Sequence, residues 1–161
     1  MTQNKKPDLN NIEGIFTAIS VGFFIILLGV LFVSTPDLFG NISDFIGDFE
    51  FSQVSDTVVV LPQPANALAH LELYNVMGMV SIAAVVFQVI MIVLRFVMSS
   101  SWSKRAETVG NLVYWIGVAF LVQFFLIDTT QWFVFWSTIL MAAGVSFIVR
   151  GGVMVLSKNR T

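Results

Sequence analysis

The side chains best placed to do chemistry lie between positions 70 and 95. His70 is the only histidine. It stands 18 residues before Gln88, about five turns of helix at roughly 3.6 residues per turn. Tyr74, Ser81 and Arg95 fall on nearly the same face. One side of a helix then carries His70, Tyr74, Ser81, Gln88 and Arg95, and the other sides carry Val, Ile, Leu, Phe and Met. A polar stripe on an apolar helix suits two uses: a path for an ion or substrate, or hydrogen bonds that fix the helix against its neighbours. A proton- or cation-coupled carrier keeps a carboxylate near mid-membrane. No apolar run here holds one at that depth, so Gln88 reads first as inter-helix glue. Gln123 is expected in mid-membrane with the same need for partners.

His70, Glu72 and Asp128 are expected near one face of the membrane, and three such groups could hold a divalent metal. The spacing gives this little support, because residues two apart do not share a helix face. No cofactor is predicted. The lone histidine rules out a bis-histidine haem site within the chain, and the absence of cysteine rules out disulfides, thiolate metal sites and cysteine nucleophiles. Phosphate-binding glycine loops, serine-hydrolase and zinc-protease motifs are absent, as is a basic nucleic-acid patch.

The elements that must position these residues are apolar. Hydrophobic residues make up 57% of the chain and charged residues 11%, against about 25% charged in soluble domains. Four runs are long enough to cross a hydrocarbon core, which takes roughly 20 helical residues. They are 12–34, 68–98, 108–127 and 132–156, joined by an outer loop 35–66 and a cytoplasmic loop 99–107. The expected fold is an all-α integral membrane protein: a single membrane domain, 1–161, built as a four-transmembrane-helix bundle. The run from Ile12 is longer than a signal-peptide core and no A-x-A site follows it before Thr35, so it reads as a retained span.

Charge sets the expected orientation. With four spans, Lys5, Lys6, Arg95, Lys104, Arg105, Arg150, Lys158 and Arg160 share the side of the termini with Asp8, Glu13 and Glu107. The opposite side holds Asp37, Asp44, Asp48, Glu50, Asp56, Glu72 and Asp128 and no cation. The positive-inside rule then puts both termini in the cytoplasm, and the protein in the cytoplasmic membrane.

In the outer loop, Thr35 can cap a helix that starts at Pro36. Leu38, Phe39, Ile42, Phe45, Ile46 and Phe49 recur at helical spacing opposite Asp37, Asn41, Asp44 and Asp48, which predicts an amphipathic interfacial helix. Its acidic polar face fits burial against protein better than attraction to lipid headgroups. Residues 51–61 read as an extended strand or loop ended by Pro62 and Pro64, with Asn66 capping the second span. Asn41-Ile42-Ser43 is a glycosylation sequon. Asp128 and Gln131 fit a capping box before the fourth span.

Two constellations bear on assembly. Gly22/Gly29, Gly110/Gly117 and Ser137/Gly144/Gly151 repeat at seven residues, a spacing that lets helices approach closely in lipid. They are read as packing within the bundle, with a neighbouring subunit as the other possible occupant. Glu13, Arg95, Glu107 and Arg150 lie one per span at the cytoplasmic ends and predict ion pairs between acid and base. The functional expectation is a non-catalytic scaffold or accessory subunit of a larger membrane assembly, with the bilayer and identical or different membrane subunits as partners. A small homo-oligomeric channel or transporter using the stripe is the alternative. A subunit lending His70 to a shared outer metal or ligand site is a weaker one.

Overall fold

A computed structural model describes residues 9–54 and 58–158. Lys5, Lys6, Asp8, Asp56 and Arg160 lie outside them. The chain is mostly helical. Helix α1 (Leu9–Ser34) leads to α2 (Leu38–Gly47), strands β1 (Phe49–Gln53) and β2 (Val60–Pro64), a 3-10 turn at Ala67–His70, α3 (Leu71–Val97), α4 (Trp102–Leu121), a π-helical segment Val122–Ile127, and α5 (Trp132–Lys158). Among the described residues, four segments are long and apolar enough to cross a membrane: Ile12–Ser34, Ala67–Val97, Trp102–Ile127 and Trp132–Ser157.

The helices stand in the order α1, α3, α4, α5 by their main contacts. Helix α4 packs along both α3 and α5, while α1 rests chiefly on α3. Two buried clusters result. Tyr74 joins Val118, Leu121, Val122, Leu126 and Phe135 between α3, α4 and α5. Ile12 and Phe16 of α1 meet Phe87 and Met91 of α3, where the Phe23 and Phe87 rings stack at 4.1 Å. Helix α3 is therefore the wall shared by both clusters, through different faces of its two halves.

Several boundaries differ from those the hydropathy predicts. The third helix starts at Trp102, not Thr108, so the connection expected over 99–107 shortens to the few residues after Val97. Lys104 and Glu107 bond one turn apart at 3.0 Å and the Thr108 hydroxyl donates to the Lys104 carbonyl; this polar first turn is helical although it is not apolar. Ser99 closes α3 with φ 53°, the left-handed residue that commonly ends helices. The third span ends in wider π turns, with the Asp128 N–H donating to the Gln123 carbonyl at 3.0 Å. Gln123 thus sits at the loop end, not in mid-membrane, and its amide donates to Asp128 Oδ1. That bond engages the Asp128 side chain, and the expected capping box with Gln131 does not form.

The loop over 35–66 also departs from expectation. Thr35 belongs to the end of α1, its N–H bonded to the Leu31 carbonyl. Asp37 caps α2 instead, its carboxylate accepting from the Gly40 N–H at 3.3 Å. Phe49 of the amphipathic set falls in β1. Pro62 and Pro64 lie within β2 instead of ending it. The pairing of Phe51 with Pro62 and Phe49 with Pro64 explains why they are tolerated. The bonds Ala65 N–H to Asp48 O and Val54 N–H to Val59 O place both prolines at non-hydrogen-bonded positions, where no N–H is needed.

The glycine stripes divide. A methyl group on Gly110 would lie 3.1 Å from the Ser146 carbonyl and 3.2 Å from Arg150 Cβ, and one on Gly117 would lie 3.2 Å from Ala142 Cβ. These two glycines bring α4 and α5 together, and the Ser146 hydroxyl donates across the contact to the Gly110 carbonyl at 2.8 Å. Gly22, Gly29, Gly144 and Gly151 meet no neighbouring atom within 4 Å. The expectation that all three stripes serve packing within the bundle is corrected to α4 against α5.

Candidate functional site

The polar residues gather at the two ends of the helices. At the loop end, α2 and the β1–β2 hairpin form a cap, and Asp48 ties it to α3. Asp48 follows α2 directly, its N–H bonded to the Asp44 carbonyl, so its position is set by the helix end. Its Oδ2 accepts from the Asn66 N–H at 2.9 Å and from His70 Nε2 at 2.8 Å. A carboxylate only accepts, so His70 carries its proton on Nε2. Asn66 was expected to cap the second span with its side chain; it makes no such bond, and its backbone N–H goes to Asp48 instead.

Aromatic packing surrounds this bond. The Phe45 ring of α2 lies edge-on to His70 at 5.1 Å, Tyr74 at 6.2 Å, and Trp132 of α5 at 5.7 Å. Trp132 Nε1 donates to the Pro62 carbonyl at 3.1 Å, joining the hairpin to α5. Tyr74 is fully buried beneath Phe45 and its hydroxyl has no hydrogen-bond partner. Leaving such a group unsatisfied costs about 1–3 kcal/mol. Of the amphipathic set, Leu38, Ile42 and Phe45 are half-buried, while Phe39 and Ile46 are largely exposed.

Asp48 holds its proton less tightly than an ordinary aspartate. The Asn66 N–H is the main cause, followed by the hydrogen bond and charge of His70.

The metal candidates are not brought together. His70 bonds to Asp48 and shares a small pocket of about 110 Å³ with Asn41, Asp44 and Glu72. Asp128 is elsewhere, bonded to Gln123. Among the described residues, no group of three His, Asp or Glu side chains is arranged to hold a metal ion.

At the terminal end, Arg95 Nη1 reaches Glu13 Oε2 at 3.0 Å and Oε1 at 3.3 Å. Ser100 completes the cluster by accepting from Arg95 and donating to Glu13. The Arg95 guanidinium also lies 4.7 Å from the Phe16 ring centroid. Glu107 pairs with Lys104 of its own helix. Arg150 has no carboxylate partner among the described residues, and its stem packs against Gly110.

The stripe of α3 is thus divided among different surroundings. His70 and Arg95 bind acids at opposite ends. Ser81 is buried and donates to the Met77 carbonyl of its own helix at 2.6 Å. Gln88 is half-buried with no protein hydrogen-bond partner among the described residues. Ser81 also lines a cleft of about 300 Å³ between α3, α4 and α5, together with Tyr114, Trp115, Val118 and Phe135.

Sequence reasoning missed Asp48, which periodicity assigns to the solvent face of α2. The available signal was its place beside Gly47, where a helix end and a strand start meet. Comparison with protein-family models, curated proteins and solved structures finds no match.

Two outcomes follow. Asp48 has a lowered folded-state pKa, so its stabilising contribution is present above the unfolded value of about 3.9 and is lost as pH falls through the folded value. In a variant keeping Trp132 as its only tryptophan, acrylamide quenching should stay flat from pH 7 to about 4.5 and rise below about pH 4. Asp48→Asn should be quenched more at every pH; loosening between pH 7 and 5 would contradict the assignment. Glu13→Arg or Arg95→Glu alone should lower stability by about 1–3 kcal/mol, less than for full burial. Thermal unfolding in detergent should show recovery when the two changes are combined; no recovery removes the pair.

Proposed function

We propose that this protein is a non-catalytic integral membrane scaffold, an accessory subunit of a larger assembly in the cytoplasmic membrane. Both termini face the cytoplasm and α2 lies in the outer interface. The orientation is supported by Arg95, Lys104, Arg105 and Arg150 at one end and Asp37, Asp44, Asp48, Glu50, Glu72 and Asp128 at the other.

The observation that carries the assembly reading is the open glycines on the two helices at the ends of the row, Gly22 and Gly29 on α1 and Gly144 and Gly151 on α5. Lipid gives no hydrophobic drive for helix association, and small residues matter because they let backbones approach. Within the chain only Gly110 and Gly117 are used this way between α4 and α5. The open stripes suit the transmembrane helices of other subunits. On the cap, Phe51 is 81% and Val58 95% exposed, which fits an additional protein contact outside the bilayer.

The conducting alternative has less support. The stripe residues His70 and Arg95 are engaged by Asp48 and Glu13, leaving Tyr74, Ser81 and Gln88 for any path.

Purification in mild detergent followed by mass spectrometry of the bound proteins tests the proposal. Other membrane subunits or further copies of the chain should stay bound. Gly144→Leu with Gly151→Leu should weaken that retention by about tenfold or more, ~1.4 kcal/mol, with unfolding stability unchanged to within about 0.5 kcal/mol. Gly110→Leu should instead destabilise the chain itself. A monomer at every detergent strength contradicts the proposal.

A further inference from the structure

We propose that the terminal end of α3, α4 and α5 binds one anionic phospholipid, with Arg105 taking the phosphate and the adjoining groove an acyl chain. The inference rests on the membrane reading of the four helices and is independent of the scaffold role.

Among the described residues, the carboxylates near this end are engaged. Glu13 pairs with Arg95 and Glu107 with Lys104. Arg105 and Arg150 have no carboxylate partner among the described residues. Arg105 does not extend freely into solvent. Its guanidinium carbon lies 4.7 Å from the Phe96 ring centroid and 4.9 Å from that of Trp102. The two rings are themselves edge-to-face at 6.2 Å. Cation–π contact holds the guanidinium in place, and its Nε is buried with no hydrogen-bond partner. A fixed, unpaired guanidinium is a ready donor to phosphate oxygens, for which its planar fork is well shaped.

Phe96 and Trp102, the rings that hold Arg105, also wall an apolar groove of about 330 Å³, closed on the other side by Val153, Leu156 and Ser157 of α5. Arg150 lies on the same stripe of α5 as Val153 and Ser157, at three- and four-residue spacing. Phe96 and Leu156 are exposed, so the groove opens sideways, where lipid chains would lie. An acyl chain matches the lining, and a headgroup of net negative charge matches the two unpaired cations. Basic pockets between transmembrane helices recognise anionic headgroups on these terms. A zwitterionic lipid fills the groove equally well and offers the same phosphate, but its own ammonium group cancels that charge and is repelled by the two arginines.

The test compares phosphatidylglycerol and phosphatidylcholine with identical chains, counting lipids retained on the intact protein by native mass spectrometry. The wild type should retain phosphatidylglycerol about fivefold or more over phosphatidylcholine, the effect of roughly one cation at an anionic surface. Arg105→Gln should abolish that preference, Arg105→Lys should keep part of it, and Val153→Trp, which fills the groove, should lower retention of both lipids. Equal retention of the two lipids by the wild type overturns the proposal, as does an unchanged preference in Arg105→Gln. Inorganic phosphate alone raising the thermal stability as much as phosphatidylglycerol does would show a free-anion site and overturn it too. Should Arg105→Gln not fold, rising salt on the wild type serves instead: the preference should fall as screening shortens the range of the charges, and a salt-independent preference overturns the proposal.

Discussion

One carboxylate oxygen governs the loop end of this protein. Asp48 Oδ2 accepts from the Asn66 backbone and the His70 ring together, joining the end of α2 to the start of α3. With that join made, Phe45 can rest on His70, Tyr74 and Trp132, and Trp132 can reach the Pro62 carbonyl. The hairpin could not stand alone, since two strands are marginal in water. It gains its place from the helix ends beneath it, and Asp48 and Trp132 make the polar contacts between them.

The opposite end solves a similar problem with a different pair. Charges at the margin of a membrane need partners or water. Glu13, Arg95 and Ser100 form one polar cluster that couples α1 to α3 beside the apolar contact of Ile12 and Phe16 with Phe87 and Met91. Between the two ends, polar groups mostly turn back on their own helices, as Ser81 does to Met77 and Thr138 to Val134. Gln88 has no protein partner among the described residues, and the Ser146 bond to the Gly110 carbonyl crosses from α5 to α4. That crossing is possible because Gly110 has no side chain to hold the helices apart. The middle of the protein is thus held by shape, and its register is held from the ends.

The four spans were legible because apolar length can be read without knowing any neighbour. The start of α4 was not, because Trp102–Glu107 is helical through local pairing and carries no hydropathy signal. The β1–β2 pairing was hidden by Pro62 and Pro64, whose effect depends on which positions face the partner strand. Glycine spacing on α1, α4 and α5 was plain, but spacing does not say which neighbour a stripe meets. Asp48 and His70 are 22 residues apart, and periodicity put them on unrelated faces. The acid–base character of Glu13 and Arg95 suggested a pair; the choice of Glu13 over Glu107 follows from α3 lying against α1 while Lys104 lies one turn from Glu107.

The central claim is that Asp48 positions the cap, and amide hydrogen exchange in detergent or nanodiscs tests it most directly. Asp48→Ala should raise exchange across residues 49–54 and 58–66, the Ala65 and Asn66 amides most of all, by about tenfold or more. Exchange in the buried stretches of α3, α4 and α5 should be unchanged. Unaltered exchange in the cap, or a rise spread evenly over the whole chain, would contradict the claim.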